Sequence, residues 1–101
     1  MEIQVTNEGR VMTAHLRGEL DHHAATGLML DLDRELERIL PTELTLDFSG
    51  VTFMDSSGIA VVIRCRQRMH LLGGRLRMQG VAPQPRKVFA AARIDRMVEM
   101  K

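Results

Sequence analysis

An aspartate followed by two serines stands between two apolar runs in the stretch TFMDSSGIAVVI, residues 52–63. Hydroxyls at such a junction can serve as a nucleophile, as a helix cap or as a point of covalent modification. A hydrolase nucleophile elbow needs glycine two residues before and two after the serine, because the turn is too tight for side chains. Met54 lies two before Ser56 and Asp55 two before Ser57, so neither serine fits. A nucleophile also needs a base. His15, His22, His23 and His70 are the histidines, and no spacing ties one of them to a serine. No residue is assigned a catalytic role, and the chain is not expected to be an enzyme.

Metal and cofactor chemistry are no better supported. His22 and His23 are adjacent, and neighbouring helical residues point about 100° apart, too far to share one ion easily. Cys65 is the only thiol, so there is no zinc framework. Residues 47–58, DFSGVTFMDSSG, have neither P-loop nor dinucleotide spacing. Neither a metal nor a cofactor is expected. Arg64, Arg66, Arg68, Arg75 and Arg77 form a basic run. On a helix and then a strand they scatter over more than one face, as a solvated surface does; a patch for an acidic partner protein is the sharper alternative.

Capping and modification remain for the serines. Asp55 is a strong N-cap candidate, with Ser56 at the first helical position. That explains the aspartate and not the pair of hydroxyls. A phosphate at a helix N-terminus is tolerated by the fold, since such termini accept anions. It would add about two negative charges beside Asp55, which a binding partner would feel. The site suits a charge switch that alters an interface and leaves the fold intact.

The elements that must position this site can be read from apolar spacing. Ile3 and Val5, then Met12, Ala14 and Leu16, alternate with polar residues around NEGR (7–10), which reads as two strands and a turn. Ala25, Leu28, Met29, Leu32, Leu36 and Ile39 form a helical stripe, capped by Asp21 and stopped by Pro41. Leu44, Leu46 and Phe48 give a third strand. Residues 56–72 read as a second helix with Ile59, Val62, Cys65, Met69 and Leu72 inward, ended by Gly73 and Gly74. Leu76 and Met78 mark a fourth strand. Pro83 opens a third helix with Val88, Phe89 and Ala92 inward, and residues 97–100 add a last short strand.

The order β-β-α-β-α-β-α-β predicts an α/β fold, an open mixed β-sheet with helices packed on it, as one domain over residues 1–101. If the second, third and fourth strands run parallel, loops 19–23, 54–58 and 81–84 gather at one end of the sheet, where α/β folds usually carry their sites.

Composition narrows the setting. Of 101 residues, 45% are hydrophobic, enough for one core. The net charge of +1 and the three aromatics, all Phe, leave little for direct nucleic-acid or membrane binding. One cysteine suits a reducing cytosol, and the first residues carry no apolar leader, so a cytoplasmic setting is expected.

GELDHHAA (18–25) and LDFSGVTFMDSSGIAVV (46–62) resemble the two signature segments of STAS domains, and more narrowly those of bacterial sporulation-type anti-sigma factor antagonists. The resemblance implies a phosphorylation switch. An unphosphorylated antagonist binds an anti-sigma factor that is also a serine kinase, and a sigma factor is released. Phosphorylation ends the contact and a serine phosphatase restores it. The family's phosphoacceptor maps onto Ser56, and the aspartate important to partner binding maps onto Asp21. His22, His23, Met54, Asp55, Ser57 and Gly58 complete the expected partner-binding surface. A constitutive STAS subunit of a signalling or lipid-transport assembly is the alternative from another class. Two departures stand out. Arg93 replaces a glycine common after the third helix, where a left-handed angle costs an arginine on the order of 1 kcal/mol, a reason for the turn to differ. The sequence also stops at Lys101, without the additional helix of some relatives.

Overall fold

Asn7 and Gly9 make the first reversal of the chain: the Asn7 side-chain amide donates to the Gly9 carbonyl at 2.9 Å, and Gly9 adopts φ 59°. A computed structural model describes residues 1–101. The turn joins β1 (Glu2–Glu8) to β2 (Val11–Leu20) as an antiparallel pair. There follow α1 (His22–Ile39), β3 (Glu43–Met54), α2 (Ser57–Leu71), β4 (Arg75–Gln79), α3 (Pro83–Ala91), a 3-10 turn (Ile94–Arg96) and β5 (Glu99–Met100). The strands lie side by side in sequence order, and β2, β3, β4 and β5 are mutually parallel. The carboxyl ends of β2, β3 and β4 therefore meet at one edge of the sheet.

Alternation along the strands sends Met12, Ala14, Leu16, Leu44, Leu46, Phe48 and Met78 to one face, where all are buried. Leu28, Leu32 and Leu36 of α1, Val61, Val62, Cys65 and Met69 of α2, and Phe89 of α3 join them in one cluster. The helices thus cover a single face, and the ring of Phe89 meets that of Phe48 edge-on at 5.4 Å. The other face carries polar neighbours, among them His15, whose Nδ1 lies 2.8 Å from Asp47 Oδ2.

The expected stripes need adjustment at their edges. On α2 the buried positions are Gly58, Val61, Val62, Cys65 and Met69, while Ile59 and Leu72 are half-buried. The contact stripe is centred one position away from the expected one. On α3, Pro85 and Phe89 are buried and Ala92 is exposed, because the helix ends at Ala91 and the chain turns there. Arg93 nevertheless takes the left-handed angle, at φ 59° and ψ 28°, so the turn keeps the conformation of a glycine despite the side chain. Helix α1 stops ahead of Pro41 through a left-handed Leu40, whose N–H donates to the Leu36 carbonyl at 2.9 Å.

Candidate functional site

The three loops beyond β2, β3 and β4 are joined to one another. Asp21 has extended angles and its Oδ1 accepts the Ala24 N–H at 2.9 Å, capping α1 as its sequence position predicts. Across the gap, the Asp55 carboxylate serves two helices. Oδ1 accepts the Ser57 N–H at 2.8 Å, and Oδ2 accepts the His22 N–H at 3.2 Å. The Asp55 N–H in turn donates to the Leu20 carbonyl at 3.2 Å. One side chain therefore ties the start of α2 to the start of α1. The Ser57 amide, followed by that of His22, holds the Asp55 carboxyl below the usual carboxylate range.

The two serines, alike in sequence, differ in this setting. Ser56 already has helical angles, φ −63° and ψ −15°, and its side chain makes no capping hydrogen bond. It is exposed, whereas Ser57 is half-buried. Although the hydrogen-bonded helix begins at Ser57, the carboxylate of Asp55 performs the capping, as expected. The Ser56 hydroxyl is thereby left to solvent at the positive end of α2.

Two of the expected partner-binding residues lie elsewhere. Met54 is fully buried and Gly58 is buried beside it. A Cβ on Gly58 would overlap the Met54 thioether and lie 3.2 Å from Leu20 Cδ2. Met54 exposes no surface and Gly58 has no side chain to offer; their close packing sets the path of the loop. His22 and His23 are exposed on the first turn of α1, their ring centroids 6.1 Å apart. Asp21, His22, His23, Asp55, Ser56 and Ser57 remain as the accessible part of the expected surface, on two helix starts linked through Asp55. No three His, Cys, Asp or Glu side chains in the chain come together to hold an ion.

Gln84, the second residue of α3, ends the third of the gathered loops as expected, but its pairing partner had no sequence signal. Its Oε1 accepts the Met54 N–H at 2.9 Å and its Nε2 donates to the Met54 carbonyl at 2.8 Å. The third loop is thereby fastened to the residue preceding Asp55. A pairing across 30 positions by an exposed glutamine has no local pattern to betray it.

The basic run is partly spoken for within the chain. Arg64 and Arg68 both reach Asp33 Oδ2, at 2.6 and 3.2 Å, and Arg77 reaches Glu43 at 3.3 Å. The Arg64 hydrogen bond is the chief reason that Asp33 titrates below the ordinary range. Cys65 is buried between these helices, and desolvation pushes its thiol up to about 12, which leaves it protonated and unreactive. No helix is long and apolar enough to cross a membrane.

Comparison with known proteins identifies the family to which the fold belongs. The family model described as STAS domain matches residues 2–101. An anti-sigma F factor antagonist of Lysinibacillus sphaericus is 33% identical over 85 residues, which span 84% of this chain and 71% of the relative. Among solved structures, the unphosphorylated form of the anti-sigma factor antagonist SpoIIAA is 26% identical, with a TM-score of 0.85 over 99% of this chain and 88% of its own. The phosphorylated form of the Bacillus cell fate determinant SpoIIAA is 25% identical, with a TM-score of 0.76 over 99% of this chain and 91% of its own.

Proposed function

The chain belongs to the STAS domain family, and we propose that within it the chain acts as an anti-sigma factor antagonist switched by phosphorylation of Ser56. In the unphosphorylated state it binds an anti-sigma factor in the cytoplasm, and a sigma factor is released. The anti-sigma factor is also the serine kinase. It transfers the γ-phosphoryl group of ATP to Ser56 Oγ, with ADP leaving and the hydroxyl proton passing to a base of the kinase. A serine phosphatase reverses the step by hydrolysis. The observation that carries this reading is the exposed, uncapped hydroxyl of Ser56 beside a carboxylate that joins two helix starts.

The physical consequence is local. Asp55 caps the Ser57 amide at the start of α2 and the Ser56 side chain makes no capping hydrogen bond, so the fold does not use the Ser56 hydroxyl. A phosphoryl group added there brings about two negative charges to a surface that already holds Asp55. Interface positions that suit a neutral hydroxyl then meet like charge and an anion to desolvate. A penalty of roughly 3 kcal/mol weakens binding about a hundredfold. Asp21, His22 and His23 supply the neighbouring contacts from α1.

Calorimetric titration of the anti-sigma factor with the chain, before and after treatment with that factor and ATP, tests the reading. Binding that weakens on phosphorylation and returns after dephosphorylation supports it. Equal affinity of the two forms contradicts it.

A further inference from the structure

We propose that the groove between the first turn of α2 and the outer side of α3 lodges the phosphoryl group of Ser56, with the Lys87 ammonium as its counter-cation. The inference rests on Ser56 as the phosphoacceptor and adds the direction in which the phosphoryl group turns and the residue that holds it. The groove is shallow and wide open to solvent, with a volume of about 570 Å³, and is lined by Ser56, Ile59, Lys87, Val88, Ala91 and Ala92. Its floor is apolar apart from the serine and the lysine. Lys87 is exposed and makes no ion pair with any carboxylate of the chain, whereas Arg64, Arg68 and Arg77 are each engaged.

The charges around Ser56 favour one direction. Asp55, of its own loop, is held ionised by the Ser57 and His22 amides on the α1 side. A second anion is repelled from that side. His22, at the start of α1, already donates its backbone N–H to Asp55 Oδ2 at 3.2 Å. On the α3 side Lys87 is the only charged residue lining the groove. A lysine stem can lie along an apolar surface and bring its ammonium to the rim, where even an exposed ion pair favours the charged form of the phosphate, though modestly. The α2 N-terminus favours an anion in either direction, so Lys87 and Asp55 decide between them. Held in this way, the phosphoryl group is favoured as the dianion and the apolar floor beneath Lys87 is covered. The switch therefore changes shape as well as charge at the edge of the partner surface.

The test uses the full chain with phosphoserine installed at position 56 by genetic-code expansion, so that no kinase takes part. Phosphorus NMR follows the phosphate through its second ionisation in the parent chain, in Lys87→Met and in His22→Gln. Lys87→Met keeps the apolar stem, and thermal melting confirms that each variant is folded. The expected result is a midpoint raised by about half a pH unit in Lys87→Met, the size of an exposed ion pair, and little change in His22→Gln. Coincident curves for the parent and Lys87→Met overturn the proposal. So does a larger shift in His22→Gln, which would turn the phosphate toward α1. A parallel incubation of the unmodified parent chain with the kinase and ATP distinguishes the two readings: labelling at a residue other than Ser56 overturns the phosphoacceptor reading and this proposal with it, whereas labelling at Ser56 with coincident titrations overturns this proposal alone.

Discussion

The Gln84 side chain and the Met54 backbone form two hydrogen bonds, one in each direction, as a neighbouring strand would. The amide thus extends the sheet at the point where β3 gives way to the Asp55–Ser57 turn, and it fastens α3 to the base of the site. Pro83 and Pro85 on either side limit the backbone around it.

Replacing Gln84 by Leu leaves the Met54 N–H and carbonyl unpaired in part-buried surroundings. The expected cost is about 2 kcal/mol, a fall in melting temperature of roughly 8–16 °C for a chain of this size. Gln84→Glu retains the acceptor and should cost less. Thermal melts of the three proteins check the order, and amide exchange at Met54 should accelerate in both variants.

Asp21 has a structural duty in addition to its proposed contact. Asp21→Ala removes the Ala24 cap, typically about 1 kcal/mol, which a small folded domain withstands. Affinity for the anti-sigma factor should fall more than stability does. A lowered melting temperature with unchanged affinity would leave only the cap.

Acid should loosen the link between the two helix starts. Asp55 has a folded pKa below its unfolded value, so its stabilising effect is fully present above the ordinary carboxylate pKa and is lost as pH falls through the depressed one. Asp33 and Asp47 have the same sign, the first chiefly through Arg64. For Asp47, burial raises the pKa but is outweighed by hydrogen bonds from Ser49 and His15. Asp55→Asn should therefore flatten part of the acid limb of stability while lowering the plateau at neutral pH. Urea unfolding across the acid range measures both effects.

The two sides of α2 should respond differently to charge. Val62 is fully buried, and Val62→Asp places an unpaired carboxylate in the core, which should abolish the cooperative melt. Arg68→Gln gives up an ion pair that is partly exposed, at a cost of at most about 1 kcal/mol. Arg68→Glu is a harsher change than its surface position suggests, since it sets a carboxylate against Asp33. Melting curves should rank Arg68→Gln above Arg68→Glu, and both well above Val62→Asp.

Features written in short-range patterns are legible in the sequence. The stripe through Ala25, Leu28, Leu32 and Leu36, the alternation of Leu44, Leu46 and Phe48, and the caps at Asp21 and Asp55 all follow from periods of two to four residues. The gathering of the three loops followed from strand order. What was not legible depends on contacts between distant segments. The second oxygen of Asp55 reaches His22 across 33 positions, and Gln84 reaches Met54 across 30. The signature run itself misled at Met54 and Gly58, because sequence does not separate residues that display a loop from residues that pack beneath it. Arg93 shows the reverse case, with tertiary context keeping a left-handed turn against the preference of its side chain.

The central claim is that one hydroxyl of an adjacent pair is the switch. It is tested most directly by mapping phosphate by mass spectrometry after incubation with the cognate anti-sigma factor and ATP, in the parent chain, Ser56→Ala and Ser57→Ala. The account predicts a single phosphate on Ser56 in the parent and in Ser57→Ala. It predicts none in Ser56→Ala, although that variant still binds the anti-sigma factor. Phosphate on Ser57, with labelling that survives Ser56→Ala and disappears in Ser57→Ala, would contradict it.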